Sequence, residues 1–109
     1  MIEKDLYAAL KTVCPRVYPM FMPDDAVYPS ITYQVVFSGT EQSVSGNVCG
    51  KNTRFQVDIY AKSYSEAKSL RDEAISKIVD LSGGDISSHD LYEDTVELHR
   101  QMIDFKIKE

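Results

Sequence analysis

The chain has 109 residues, a hydrophobic share of 43%, a charged share of 27% and a formal net charge of −5. This length and composition are typical of one globular domain, which we expect to span residues 1–109. No apolar run approaches the roughly 20 residues of a membrane span, and the first residues lack the pattern of a signal peptide. The scattered basic residues and acidic balance argue against direct, sequence-specific binding of nucleic acid. We therefore expect a cytoplasmic protein with no membrane partner.

An amphipathic helix is predicted at residues 2–13, because apolar side chains recur there at the spacing of one helix face. These side chains are Ile2, Leu6, Leu10 and Val13. Pro15 ends the helix, and three further prolines keep the following stretch irregular. Residues 17–22 are apolar enough for a short edge strand that Pro19 interrupts. Two uses of these bulky side chains remain open, namely packing in the core and an exposed contact patch for a neighbour.

A second strand is predicted at residues 31–37, where residues alternate with the period of a half-buried strand. Ile31, Tyr33, Val35 and Phe37 share one of its faces. Residues 38–51 are rich in Gly, Ser, Thr and Asn, and we expect them to form a long loop. Val44, Val48 and Cys49 would let part of this loop continue as a twisted ribbon. The loop is either a flexible connection without a partner or an arm that becomes ordered against a partner subunit.

The clearest pattern is a strand at residues 52–61 that leads directly into a helix at residues 63–81. One face of the strand carries Phe55, Val57, Ile59 and Ala61, and the other carries Arg54, Gln56, Asp58 and Tyr60. Ser63 and Glu66 have the spacing of a capping box at a helix start. Gly83 and Gly84 close the helix. Its buried stripe is predicted to contain Ala67, Leu70, Ala74, Ile75, Ile78 and Val79.

The remaining residues predict a short strand and a long final strand. Ile86 and the pair Leu91-Tyr92 flank a polar turn at residues 87–90, and the last strand covers residues 96–108. Hairpin-like connections make the sheet mainly antiparallel. The predicted fold class is therefore α+β, a two-layer sandwich with two amphipathic helices packed on one face of the sheet. The uncovered face would show Thr32, Gln34, Arg54, Gln56, Asp58 and Tyr60.

The sequence contains no recognisable catalytic, metal or cofactor site. His89 and His99 lie in no metal-binding spacing, and we expect the first in a solvated turn and the second at a strand edge. The acidic pairs at 24–25 and 93–94 lack the spacing of a calcium loop. Cys14 and Cys49 are expected to be reduced thiols, although a single disulfide stays possible. We expect neither an enzyme nor a cofactor.

The succession of segments resembles the family of small tail-completion proteins of long-tailed bacteriophages and prophages, which includes tail-terminator and head–tail joining components. The resemblance covers nearly the whole chain and begins with the N-terminal helix. It continues through Val17-Tyr-Pro19, Tyr28-Pro-Ser-Ile-Thr-Tyr-Gln34, Phe55-Gln-Val-Asp-Ile-Tyr-Ala61, Ser63-Tyr-Ser-Glu-Ala67 and Met102-Ile-Asp-Phe-Lys-Ile107. Each motif is short, so the resemblance rests on their order more than on any single motif.

This resemblance implies a structural protein without catalytic residues, cofactor or metal. It implies a ring-like homo-oligomer, often a hexamer, at the head-proximal end of the tail. Its partners would be further copies of itself, the tail tube protein and the head connector or stopper proteins. The protein would occupy the host bacterial cytoplasm during assembly and the virion tail or neck afterwards. By this analogy, subunit contacts would involve Arg54, Gln56, Asp58, Tyr60, Gln34, Tyr18, Phe21, Glu41, Val44 and Val48.

A small cytoplasmic α+β enzyme or ligand-binding domain is the alternative. It predicts a concave apolar pocket with converging polar groups. The lack of clustered His, Cys or carboxylate residues in the sequence favours the assembly protein.

Overall fold

The computed structural model describes residues 2–23, 26–42, 48–81 and 83–108. Seven elements follow in chain order: α1 (Ile2–Val13), β1 (Val17–Pro19), β2 (Ser30–Gln42), β3 (Val48–Ala61), α2 (Tyr64–Asp80), β4 (Gly83–Glu93) and β5 (Leu98–Lys108). The five strands form one sheet in the order β1-β2-β3-β5-β4. All neighbouring pairs are antiparallel except β1 and β2, which are parallel. The predicted α+β class with a mainly antiparallel sheet is confirmed.

The core lies between the two helices and one face of the sheet. Alternate residues of β3 and β5 point into it, as their period of two dictates. These residues are Phe55, Val57, Ile59, Ile103, Phe105 and Ile107, and the helices add Leu6, Leu10, Ala74 and Ile78. At the centre, the rings of Phe55 and Phe105 stack with centroids 5.5 Å apart. Burial of these apolar side chains is what holds the helices on the sheet.

Helix α2 begins where the capping pattern predicts. The Glu66 backbone N–H donates to Ser63 Oγ over 3.1 Å, which satisfies one of the free N–H groups of the first turn. The buried stripe predicted for α2 is confirmed for Ala67, Ala74 and Ile78. Leu70 and Ile75 are partly buried. Val79 is exposed, so its assignment to the stripe is wrong. One residue after Ile78, the helix has turned about 100°, which carries Val79 away from the sheet.

Gly83 lies against the last turn of α2, and a methyl group there has no room. A Cβ at Gly83 would come within 2.8 Å of the Ile78 carbonyl oxygen and would also meet the Ile78 side chain. We expect Gly83→Ala to lower the free energy of unfolding by about 1–3 kcal/mol, measured by urea denaturation. Gly84→Ala is the matched control, because no heavy atom lies within 4 Å of the added carbon. Equal losses in the two variants would contradict this packing.

Residues 38–42 and 48–51 of the segment predicted as a long loop are strands, so the loop is wrong there and the suggested ribbon is confirmed for these residues. β2 and β3 pair from Ser30 with Tyr60 out to Gln42 with Val48. β5 pairs with β3 only as far as Asn52, so residues 40–42 and 48–51 form a two-stranded extension that we call the hairpin arm. The molecule is accordingly elongated, with extents of 53 × 24 × 23 Å. Pairing with a neighbouring strand overrides the weak strand preference of Gly and Asn in this segment.

The alternation predicted for β2 ends at a bulge. Val35 pairs with Phe55, but Phe37 pairs with Arg54, so the register shifts by one residue between them. The backbone register of β2 beyond the bulge is therefore one residue out of phase with the predicted alternation. An extra residue in one strand of an antiparallel pair has this effect on every position beyond it.

The C-terminal part also differs from the prediction. The polar turn expected at residues 87–90 lies within β4, an edge strand whose residues Ser87 to Glu93 pair with β5. His89 consequently lies on an exposed strand and not in a turn. The last strand begins at Leu98, because residues 94–97 form the turn that precedes it. Polar residues are tolerated in β4 because both of its faces lie near solvent at the sheet edge.

Candidate interaction surface

The face of the sheet that the helices leave uncovered is polar, and we call it the open sheet face. It consists of the β3 residues that alternate with the core positions, together with their neighbours on β2 and β5. The register places Gln34 opposite Gln56 on one side, and Tyr60 opposite Arg100 on the other. Its members are Thr32, Gln34, Arg54, Gln56, Asp58, Tyr60, Arg100, Met102, Asp104 and Lys106.

A charged cluster lies on the open sheet face near the C-terminal end of β3 and the start of β5. Arg100 Nε donates to Asp58 Oδ1 over 2.9 Å, and Arg100 Nη1 donates to Glu93 Oε1 over 3.0 Å. Gln56 Nε2 donates to Asp58 Oδ2 over 2.9 Å, and the Arg100 guanidinium lies 5.5 Å from the centroid of the Tyr60 ring. We call these five residues the Arg100 cluster. Charged hydrogen bonds of this kind fix side-chain geometry more firmly than neutral ones.

Burial and hydrogen bonding shift the pKa values of Arg100 and Tyr60 in the Arg100 cluster. Burial lowers the pKa of Arg100, but its hydrogen bonds to Asp58 and Glu93 outweigh this effect and raise the pKa overall. Burial raises the pKa of Tyr60, and the nearby Arg100 opposes the rise. The arginine therefore stays charged and the phenol stays neutral. Such a cluster can offer directed hydrogen bonds to a neighbouring protein.

The residues predicted for the uncovered face differ in their exposure. Arg54, Gln56 and Tyr60 are half-buried, and so is Gln34. Asp58 was expected on a solvent-facing surface, but it is only 5% exposed. Thr32, which is opposite Asp58 in the register, is also buried. The hydrogen-bonded side chains of Gln56 and Arg100 lie against the Asp58 carboxylate and keep water from it.

Sequence reasoning missed two members of the Arg100 cluster. Arg100 lies on β5, 42 residues after its partner Asp58. Glu93 lies at the end of β4, 7 residues before its partner Arg100. Arg100 does alternate with Met102 and Asp104, which indicates its face. Only the register between β3 and β5 reveals that it reaches Asp58.

The chain leaves the sheet after β1 in a turn that exposes two bulky apolar side chains. Tyr18 is half-buried in β1 and Val17 is buried, but Met20 and Phe21 are exposed, Phe21 by 80%. Of the two uses left open for this segment, packing in the core is therefore wrong for Met20 and Phe21. Met20 has a left-handed φ of 63°, and its N–H donates to the Tyr33 carbonyl over 2.8 Å. This turn directs Phe21 away from the core.

Two of the predicted contact residues belong to the hairpin arm. Glu41 is opposite Gly50, and Val48 is opposite Gln42, so the backbone of both lies in the paired arm. Val44 lies outside the described residues.

A second polar cluster ties the edge strand β4 to α2. Lys68 Nζ lies 2.9 Å from Asp90 Oδ1, and the Tyr64 hydroxyl donates to Asp90 Oδ2 over 3.0 Å. The hydrogen bond from Lys68 lowers the pKa of Asp90 to about 2. The His99 ring lies 5.7 Å from that of Tyr64 and 5.0 Å from that of Tyr92, by centroids. These contacts hold β4 in place although it has a neighbouring strand on one side only.

A shallow groove of about 570 Å³ lies between α1 and the edge of the sheet. It is lined by Glu3, Lys4, Tyr7, Pro19 and Tyr33. The rings of Tyr7 and Tyr33 form its floor, with centroids 6.1 Å apart. Burial, followed by the charge of Glu3, raises the pKa of Tyr33. The groove offers apolar contact area, but its two charged groups lie on the exposed side of α1.

Within the described ranges, no three His, Cys, Asp or Glu side chains are grouped closely enough to hold a metal ion. None of the helices in this part of the chain is both long and apolar enough to cross a membrane. Cys14 is a buried free thiol whose Sγ lies 3.3 Å from the Pro29 carbonyl oxygen.

Comparison with known proteins gives a family and a fold. A family model described as "Tail completion protein gp17" matches residues 4–108. A chain of the solved structure "Virion of native gene transfer agent (GTA) particle" has a similar fold, with a TM-score of 0.68 and 11% sequence identity. The similarity covers 98% of this chain and 90% of that chain. Comparison with curated proteins gives no match. The chain belongs to the tail completion protein gp17 family and is therefore a structural protein of a phage tail.

Proposed function

We propose that this protein forms or joins a ring at the head-proximal end of a phage or prophage tail, where it completes the tail and prepares it for joining to the head. Family membership over residues 4–108 is the observation that carries the proposal. The polar open sheet face and the hairpin arm support it, since both lie outside the core. Its partners would be further copies, in a ring of six, together with the tail tube protein and the head connector or stopper.

The Arg100 cluster has the properties of a contact site in such an assembly. Its side chains are joined by hydrogen bonds, and it combines Arg and Tyr, which are enriched where protein interfaces are strongest. The interface proposed from sequence then comprises Arg54, Gln56, Asp58, Tyr60 and Gln34, with Arg100 added. The hairpin arm would extend this interface onto a neighbour through the stretch that contains Glu41 and Val48.

The exposed turn after β1 supplies a further apolar contact. Phe21 is almost fully exposed, and an isolated aromatic side chain of this kind is a typical anchor at a protein interface. Tyr18 is beside it on β1. We propose that this contact is made when the protein docks on the tail, within the virion tail or neck, and that the protein is present in the host cytoplasm beforehand.

A small-molecule function is the second candidate, and the groove beside α1 is its strongest support. However, a ligand site usually encloses most of its ligand and brings several polar groups together. This groove is shallow, and its Glu3 and Lys4 face solvent. The assembly role is therefore favoured over an enzymatic or ligand-binding role.

The test is to add purified, gold-labelled protein to tails assembled without it and to locate the label by electron microscopy. The proposal predicts label at the head-proximal tail end and recovery of head joining. Label along the whole tube, at the distal end, or absent from tails would contradict it. Phe21→Ala should reduce labelling at the tail end, whereas Val79→Ala, an equally simple change at an exposed apolar residue of α2, should not.

A further inference from the structure

The sheet has two free edges on opposite sides of the molecule. Among the described residues, no strand pairs with the outer side of β4. On the other side, β1 covers only Ile31 to Tyr33 of β2, so β2 has no outer partner in the described chain from Gln34 to Gln42. Free edges of this length are templates for pairing with another chain. Proteins usually block them with Lys or Pro, but residues 87–93 contain neither.

Both edges also expose apolar side chains beside the free backbone. Leu91 and Tyr92 are exposed on β4. Val35, Val36 and the nearby Phe21 are exposed at the other edge. Removing these groups from water would favour association in addition to the backbone hydrogen bonds.

From this arrangement we infer that β4 of one copy pairs, antiparallel, with the free edge of β2 in the next copy. The inference deepens the proposed ring by naming its lateral junction, and it rests on that proposal. β1, β2 and β5 run in one direction, and β3 and β4 run in the other. Rotation about an axis along the strands preserves these directions from copy to copy, so β4 meets the next β2 in the antiparallel sense. Two different edges make a head-to-tail junction, which is the kind that closes rings.

Charge complementarity identifies a second copy as the occupant. Residues 83–97 carry five carboxylates and no Lys or Arg. In the described part of the chain, Asp94 and Glu97 of the turn after β4 are exposed and have no ion-pair partner. Antiparallel pairing brings this turn alongside β1 of the next copy. Arg16 lies there, with its Nε bonded to the Pro29 carbonyl and with no carboxylate partner among the described residues.

The junction is tested with two charge-reversed variants, Arg16→Glu and the double variant Asp94→Arg/Glu97→Arg. Sedimentation velocity at low salt follows each variant, their equimolar mixture and the wild type from micromolar to millimolar concentration. Each variant alone should associate about tenfold or more weakly than the wild type, because like charges then meet at the junction. The mixture should regain association, since every junction between unlike variants again joins opposite charges. Recovery on mixing also shows that both variants are folded.

Glu73→Arg is the control, because it makes the same charge change on an exposed residue of α2 and should leave association unchanged.

Wild-type association that neither variant weakens would overturn the edge junction and leave the proposed ring standing. Weakening without recovery in the mixture would overturn the head-to-tail arrangement. A wild-type chain that stays monomeric throughout would reject edge pairing between copies. Binding to tail ends would then still support the proposed function.

Discussion

Replacing Phe55 with alanine should lower the free energy of unfolding by about 3–5 kcal/mol. Its side chain is fully buried at the centre of β3 and stacks on Phe105 of β5, so truncation leaves a cavity between the two strands that carry the core. A domain of this size is typically stable by about 5–15 kcal/mol, so the variant should lie near its unfolding threshold at physiological temperature. Chemical denaturation followed by circular dichroism measures the change.

Phe21→Ala is the matched control for this prediction. The same side chain is removed, but Phe21 is 80% exposed, and the free energy of unfolding should change by no more than about 0.5 kcal/mol. The proposed interface role gives this variant a separate signature, which is normal stability with reduced binding to tail ends. A large loss of stability in Phe21→Ala would mean that residue 21 packs in the core, contrary to the structure.

Asp58→Asn should lower the free energy of unfolding by about 2–3 kcal/mol. Asp58 is 5% exposed and accepts hydrogen bonds from both Arg100 and Gln56. Loss of its charge leaves the half-buried Arg100 with Glu93 as its remaining carboxylate partner. Arg100 retains 23% side-chain exposure, and water can compensate part of the loss, so the expected cost is below that of a fully buried pair.

Asp72→Asn tests whether burial, and not merely the presence of an ion pair, sets the size of this effect. Asp72 contacts Arg71 at the same distance of 2.9 Å, but its side chain is 70% exposed. Exposed pairs contribute about 0–1 kcal/mol, so a change of about 0.5 kcal/mol or less is expected. Similar losses for the two variants would contradict the account that burial of Asp58 sets the size of the effect in the Arg100 cluster.

Local patterns in the sequence predicted the elements that form the core. Alternation along residues 52–61, the Ser63 cap and the helical spacing of Leu6 and Leu10 each reflect a burial preference that acts on one segment alone. The succession of these segments was also enough to indicate the family. The strand order and the partners of each strand were not predicted, because they depend on contacts between distant segments.

The errors in the predicted strands also arise because contacts between distant segments are not visible in the sequence. Residues 38–42, 48–51 and 87–90 have turn-like compositions, yet they are strands because a neighbouring strand supplies their hydrogen bonds. The bulge between Val35 and Phe37 leaves no mark in the alternation that precedes it. In the candidate site, the alternate residues Arg54, Gln56, Asp58 and Tyr60 were correctly placed on one face. Arg100 and Glu93 were missed because only the register of β5 brings them to Asp58.

The most direct measurement of the central claim is the mass of the wild-type protein in solution across a concentration series, by light scattering after size exclusion. A ring-forming tail completion protein should show a discrete species near a sixfold multiple of the monomer mass that does not grow further as concentration rises, because a closed ring has no free junction. A monomer at every concentration, together with failure to bind tail ends, would contradict the account. A series of species whose mass keeps growing with concentration would also contradict the account, because open-ended association cannot complete a tail.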